Sequence, residues 1–159
     1  MAAPKSVVKI NKNGVQYTSE VDKCQYYIFE LSRAALRDVG RYLKRKFRES
    51  YYSHFKKRTG NSPKATKVKV YSNAKTKYPR LEIGLPHASK GNEVKGFYSY
   101  FQEVGTSKTP KLGLLKNAAY ENIAEIVKIE SQYLSALEDE AKALALVNED
   151  DYEGGADDE

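Results

Sequence analysis

One cysteine, Cys24, and two histidines, His54 and His87, are all the thiol and imidazole ligands the chain offers. A lone cysteine excludes an intramolecular disulfide and fits a reducing compartment. Without a Cys/His/Asp cluster at metal spacing, no zinc site is expected either. Long apolar runs are missing too, since nothing approaches the ~18 consecutive apolar residues that span a bilayer. Lys5, Lys9 and Lys12 interrupt the first 20 residues, so no export signal is expected there. No P-loop, dinucleotide fingerprint or nucleophile elbow is found. Glu82 and Glu103, at expected strand ends, could pair as acid and base but read as ordinary exposed strand glutamates, and Glu93-Val94-Lys95, with the Glu-x-Lys spacing of some metal-dependent nucleases, lies in a loop without an upstream acidic partner. His87, next to Pro86, reads as a loop residue. The expectation is a soluble protein made in a cytoplasm, neither an enzyme nor the holder of a cofactor.

What the chain has in quantity is charge, unevenly placed. Its 159 residues suit one domain with a modest core and carry a net charge of +6. Residues 1–80 hold 20 Lys/Arg against 5 Asp/Glu, a balance of +15; residues 81–159 hold 7 against 16, a balance of −9. Such a division points to electrostatic contact with a partner, with nucleic acid, or between subunits set head to tail. Two solvated faces and an acidic tail are the plainer alternative.

The apolar residues change period along the chain. Val8, Ile10, Val15 and Tyr17 alternate around Asn13-Gly14, a hairpin signal, so residues 1–21 are expected to form an arm or a small hairpin. From Asp22 to about Arg48 the period is helical. Cys24, Ile28, Leu31, Ala35, Val39, Tyr42 and Leu43 recur at steps of three and four and predict one buried face, with Cys24 in the core. Gly40 is a weak point in that helix, costing about 1 kcal/mol relative to Ala. Tyr51 and Phe55 rotate off the face, which predicts a kink or a second short helix near Glu49–Tyr52, and Gly60-Asn61-Ser62-Pro63 must stop the helical stretch. Val68 and Val70, then Leu81, Ile83 and Leu85, alternate with polar residues and predict an antiparallel pair; Tyr98–Val104 reads as a third strand. Leu115, Ala119, Ile123, Ile126, Val127, Leu134, Leu137, Ala141 and Leu144 form the stripe of a helix from about Leu114 to Leu146, with an acidic outer face. Residues 148–159 have almost nothing to bury and are expected to be disordered. The fold class is then α+β, one domain over 22–147: a long N-terminal helix, a three-stranded antiparallel sheet and a long C-terminal helix packed on the sheet.

Opposite the apolar face of the first helix fall Arg33, Arg37, Arg41, Lys44, Arg45 and Arg48, followed by Lys56, Lys57 and Arg58. A cationic stripe of this kind suits phosphates or an acidic protein surface. Tyr51, Tyr52 and Phe55 are interleaved, as in stacking platforms for single strands. No base-reading motif accompanies them. A charged outer face is also what solubility requires of an amphipathic helix.

The residues that say most lie between Phe97 and Ala119. An aromatic run stops at Glu103-Val104-Gly105-Thr106, a polar loop closed by Pro110 follows, and an amphipathic helix opens at Leu114-Leu115-Lys116-Asn117-Ala118-Ala119. Gly105 gives the backbone a positive φ at the strand exit, with Thr106 capping the turn. This order resembles the C-terminal half of the neck and tail-completion (head–tail joining) proteins of lambda-like siphophages. Their hallmark is an aromatic-rich strand ending in Glu-aromatic-Gly-Thr, then a Pro-containing loop and a helix beginning near Arg-Pro-Ala. Arg58-Thr59-Gly60-Asn61 resembles a second landmark, the Thr-Gly-Asn turn that ends the long first helix; the two frame roughly residues 22–130. Val104 stands where the family carries an aromatic residue. The resemblance implies a structural virion protein that performs no reaction: a ring of identical subunits, six in number, in the neck between capsid and tail. It implies contacts with head connector or stopper proteins and with tail tube or tail terminator proteins, phage DNA in the lumen, and no membrane. Glu103, Gly105, Thr106 and Pro110 are then a scaffold turn. The alternative is a nucleic-acid-binding protein that uses the basic helix without catalysis.

Overall fold

A computed structural model of the chain describes residues 5, 7–55, 61–72, 78–85 and 98–153. Strands β1 (Val7–Lys12) and β2 (Val15–Ser19) pair antiparallel across Asn13 and Gly14, whose φ values of 54° and 77° are those of a tight hairpin turn. Helix α1 (Val21–His54) follows without interruption for 34 residues. Its buried residues include Tyr27, Leu31, Ala34, Ala35, Val39, Gly40, Leu43 and Phe47, steps of three and four with two adjacent pairs, which keep one broad side covered. Cys24 and Ile28, expected on that side, are exposed. The covered line starts at Tyr27 and Leu31, because those two meet Ala143 and Val147 of the last helix. Of the kink or second short helix expected near Glu49–Tyr52, the second helix is not formed, since α1 runs unbroken to His54. A rotating apolar line needs no break when a different element covers it, and Tyr51 is met by the elements that follow; Gly60 lies outside the described residues.

Helix α2 (Asn61–Ala65) is one turn, after which Thr66 is buried with its hydroxyl 3.1 Å from the Ser62 carbonyl. Strands β3 (Lys67–Tyr71) and β4 (Arg80–Gly84) pair antiparallel with Val68 opposite Ile83 and Val70 opposite Leu81, and these four are the less exposed residues of an alternating pattern. The hairpin packs on α1 at Gly40, where a Cβ would stand 2.3 Å from Val68 Cγ1 and 3.1 Å from Leu81 Cδ1. Gly40 is therefore a seat for the hairpin, and its helix penalty is offset by that close packing.

The three-stranded sheet is corrected to two sheets of two strands each. Residues 98–104 form helix α3 (Tyr98–Val104), which turns Ser99, 2% exposed, inward near Phe47 and Tyr51 and leaves its aromatic residues outward. Tyr and Phe favour strands only as residues that fit a half-buried pleat. Here the polar side has the partners, so the helix lays that side down. The single C-terminal helix is corrected as well. Helices α4 (Leu114–Glu121), α5 (Ile123–Ser135) and α6 (Glu140–Glu153) succeed one another, with a 3-10 turn at Ala136–Glu138, and all three pack along α1. At the first break Asn122 Nδ2 donates to the Ala118 carbonyl at 2.8 Å, and Asn122 Oδ1 accepts from the Tyr42 hydroxyl at 2.8 Å. At the second, Asp139 Oδ1 accepts from the Ala141 amide at 3.0 Å and so caps α6. Helix α6 runs to Glu153, into the stretch 148–159 expected to be disordered, since extending a formed helix is far easier than starting one; residues 154–159 lie outside the described residues.

The two ends of the domain meet at a small polar cluster. Lys23 Nζ lies 2.6 Å from Glu140 Oε1, and the Tyr27 hydroxyl donates to the same oxygen at 3.2 Å. The hydrogen bond from Lys23 holds the Glu140 carboxyl below the usual carboxylate range and, reciprocally, holds Lys23 above the usual ammonium value; burial pushes the Tyr27 phenol up.

Two outcomes follow from this packing. Gly40→Ala should lower stability by about 1–3 kcal/mol despite the better helix former, because the methyl overlaps Val68. In thermal melts the additional substitution Val68→Ala should make Gly40→Ala much less costly. For the Lys23–Glu140 pair, a carboxylate titrating lower in the folded chain contributes above its unfolded range and loses that contribution as pH falls through the folded value. The raised Lys23 loses its contribution as pH rises past its folded value. The difference in Tm between the native chain and Glu140→Gln should be widest near neutrality and shrink as pH falls through and below the ordinary carboxylate range.

Candidate functional site

Two sets of residues carry the functional expectations, the cationic side of α1 and the turn at 103–110. Helix α1 is flanked by β3–β4 and by α4, α5 and α6, so its outer side is narrower than one helix alone suggests. Arg33, Arg37 and Arg41 are half-buried there. Arg33 Nη2 lies 3.0 Å from Glu30 Oε2, and Arg41 pairs with Asp38, whose second oxygen accepts from the Tyr133 hydroxyl of α5. The stripe is thus not one open surface: Arg33 and Arg41 are paired within α1, and Asp38 links the Arg41 pair to α5. Lys44 is half-buried, whereas Arg45 and Arg48 are exposed. The Arg45 guanidinium sits 5.5 Å from the centre of the Tyr42 ring, and that of Arg48 sits 5.8 Å from the centre of Tyr52. Lys56, Lys57 and Arg58 lie outside the described residues.

The tyrosines divide in the same way. Tyr51 packs on Phe47 and Phe55, with its hydroxyl 3.1 Å from Ser62 Oγ and 3.4 Å from Gln102 Oε1. It is a joint between α1, α2 and α3 and is not a platform for bases. A second cation–tyrosine cluster, which the sequence pattern did not single out, lies on β3–β4. There Lys69 Nζ and the Arg80 guanidinium stand 4.7 and 5.3 Å from the centre of the Tyr71 ring. Its signal was available in the strand register, since Tyr71 pairs directly with Arg80.

The turn after α3 is built from hydrogen bonds donated by backbone amides, to backbone carbonyls and to the Glu103 and Thr106 side chains. Helix α4 starts at Gly113, a residue with φ 61° and no side chain to cap the helix. Glu103 supplies the cap from the preceding helix: its two carboxylate oxygens accept the Leu115 and Lys116 amides, each at 2.9 Å. A carboxylate on the first free amides of a helix also faces the positive end of the helix dipole. Gly105 donates to the Phe101 carbonyl at 2.8 Å with φ 83°, and a Cβ there would stand 2.9 Å from Lys111 Cβ. It needs both the left-handed backbone and the empty space, although it closes a helix and not a strand. Thr106 Oγ1 accepts the Thr109 amide at 3.0 Å, and the Leu112 amide donates to the Gln102 carbonyl at 2.9 Å. Pro110 is exposed in the loop so formed. The capping role of Glu103 was out of reach of the sequence, since a cap is sought next to its helix and this one lies 12 residues from its acceptor site.

Among the described residues, the remaining candidates are not brought together. Glu82 pairs with Arg80 at 2.6 Å and Glu103 is the α4 cap, so the two are engaged separately. His54 lies edge-on against Phe55. His87 and Glu93–Lys95 fall outside the described residues. Among the described residues no group of His, Cys, Asp and Glu could hold a metal ion, and no helix is long and apolar enough to cross a membrane.

Removing the cap has a local signature. Glu103→Gln should cost about 0.5–2 kcal/mol and speed hydrogen exchange first at the Leu115 and Lys116 amides, read by NMR. Gly105→Ala should cost at least as much, since it adds an unfavourable φ to a steric overlap. Unchanged exchange at those two amides in Glu103→Gln would remove the capping role.

Comparison of the chain with protein-family models, with curated proteins and with solved structures returns no match.

Proposed function

We propose that the chain is a structural protein of a tailed-phage virion, one subunit of the neck ring that joins the DNA-filled head to the tail. The observation that supports this most is the role of Glu103, Gly105 and Thr106. All three act on backbone, as cap, left-handed hinge and loop clamp, and the resemblance to tail-completion proteins implies a scaffold turn there. A second support is the amount of apolar surface left open. Tyr17, Tyr98, Tyr120, Ile123, Val127 and Leu134 are each more than half exposed. Soluble monomers seldom expose such groups together, whereas a ring subunit completes its core by assembling. The charge division, +15 against −9, gives neighbouring subunits something to align by.

Deleting the gene from the phage or prophage that encodes it should leave filled heads and separate tails, which electron microscopy distinguishes, and the chain supplied in trans should restore joined particles. Normal titres without it would end the proposal.

Nucleic-acid binding is the second reading, favoured by Arg45 and Arg48 beside their tyrosines. The paired substitution Arg45→Glu with Arg48→Glu should stay within about 1 kcal/mol of the native stability, because both residues are exposed. Arg41→Glu should destabilise, since it sets a carboxylate beside Asp38. If the pair abolishes steeply salt-dependent DNA binding by the free subunit, measured by fluorescence anisotropy, the second reading gains; no such binding at low salt removes it.

A further inference from the structure

We propose that the β1–β2 hairpin of one copy docks on the α5 face of a second copy, so that subunits join head to tail. The occupant rests on the reading of the chain as a ring subunit; the two surfaces do not. On the hairpin, Val15 and Tyr17 point to one side of β2, and Ile10 stands directly opposite Tyr17. These three are 69%, 55% and 57% exposed. Among the described residues the two strands make their substantial contacts with each other. An isolated two-stranded hairpin is marginal in water, and one with a bare apolar side needs a surface to lie on.

Helix α5 offers that surface. It packs along α1, yet none of its residues is buried. Its apolar arc is wider than α1 covers: Ile126, Ile129 and Tyr133 are half-buried, while Ile123, Val127 and Leu134, one helical face at i, i+4 and i+11, are 52%, 56% and 51% exposed. Leu134 also borders a groove of about 230 Å³, shared with Leu36, Tyr78, Pro79 and Tyr133, into which an apolar side chain can reach.

Charge selects this face over the other exposed aromatic side, that of α3. Residues 5–19 hold Lys5, Lys9 and Lys12 and no acid, while residues 114–138 hold four glutamates against two lysines. Beside α3 the loop carries Lys108 and Lys111, and Glu103 is already engaged as a cap. A basic hairpin is drawn to α5 and repelled from the α3 loop. Because the two patches differ, each subunit keeps one free patch after pairing, and the contact propagates from subunit to subunit, closing into a ring where the rotation between neighbours allows it.

The test uses mixtures of the full-length chain. Tyr17→Asp disables the hairpin and Val127→Asp disables the α5 face; circular dichroism checks that both stay folded. By sedimentation at on the order of 100 μM, the native chain should form higher oligomers and each variant alone should associate at least ~10-fold more weakly. An equimolar mixture of the two should give dimers and nothing larger, since only one intact contact per pair remains. In a Cys24→Ser background, Tyr17→Cys in one copy and Val127→Cys in another should cross-link with a short bismaleimide only when mixed, which keeps the test open if an aspartate variant unfolds. A native chain that stays monomeric, variants that oligomerise as the native chain does, or a mixture that forms no dimer overturns the contact. Oligomers that persist in both variants, together with normal head–tail joining, would remove this contact and leave the neck proposal standing. Oligomers built as described, from a chain the phage does not need for joining, would do the reverse.

Discussion

The close approach of β3–β4 to α1 at Gly40 sets the geometry that the rest of the chain follows. Neither two-stranded sheet is large enough to stand by itself, so the alternating residues Val68, Val70, Leu81 and Ile83 need a helix surface that lets a strand come near. Gly40 gives that surface by having no side chain. Ala34 and Ala35, buried one and a half turns earlier, likewise keep α1 slim, and Leu31, Leu43 and Phe47 fill the space between. Each of these large side chains contributes about 1.5–3 kcal/mol by leaving water. A helix approached from several sides must present apolar or small residues around most of its circumference, and that is why the cationic side of α1 is partly enclosed.

Enclosure explains the polar joints. Several polar groups of α1 that face a packed neighbour are met by a named partner: Asp38 by Arg41 and Tyr133, Tyr42 by Asn122, Tyr51 by Ser62 and Gln102, Tyr27 by Glu140. Each joint fixes one element against α1, and several coincide with chain breaks. Asn122 both interrupts the α4–α5 run and ties it to Tyr42. Glu103 ties the end of α3 to the start of α4. Groups half removed from water are costly to leave unpaired, so these bonds decide where the helices stop as much as helix propensity does.

That division separates what could be read from the chain and what could not. The alternation Val68/Val70 and Leu81/Ile83, the Asn13-Gly14 turn signal and the helical period of α1 are local, and each corresponds to an element of the right kind. The helical period from Leu115 to Leu144 does correspond to helices along α1, but it conceals the breaks at Asn122 and Asp139, and the stripe is not one covered side, since Ile123, Val127, Leu134, Leu137 and Leu144 are exposed. Tyr98–Val104 was misleading because strand propensity and aromatic content agree while the deciding residues are Ser99, Gln102 and Glu103, whose partners are distant in sequence. The basic stripe is partly enclosed for a related reason. A helical wheel ranks the sides of one helix and carries no information on how many neighbours it will have. Of the candidate site, the turn was legible as a turn, through Gly105 and Thr106; the capping by Glu103 was not.

A domain built around one helix leaves apolar surface over, because elements in a single layer around an axis have an outer side that nothing covers. In α1 the surplus is absorbed, since neighbours lie on several sides. In α5 it is not: the helix touches α1 with half of its apolar arc and turns the other half to solvent. The hairpin at the opposite end of the chain has the same unfinished state. Hydrophobic burial alone would let two such patches meet in any orientation, and two α5 faces would serve as well as a hairpin and a face. The charge division removes that freedom. Like patches repel, basic against basic and acidic against acidic, while the unlike pairing is favoured, so the net charge of each half acts as an orientation rule on an otherwise undirected apolar contact. Polarity built into every subunit in this way is what a head-to-tail assembly requires and a symmetric dimer does not.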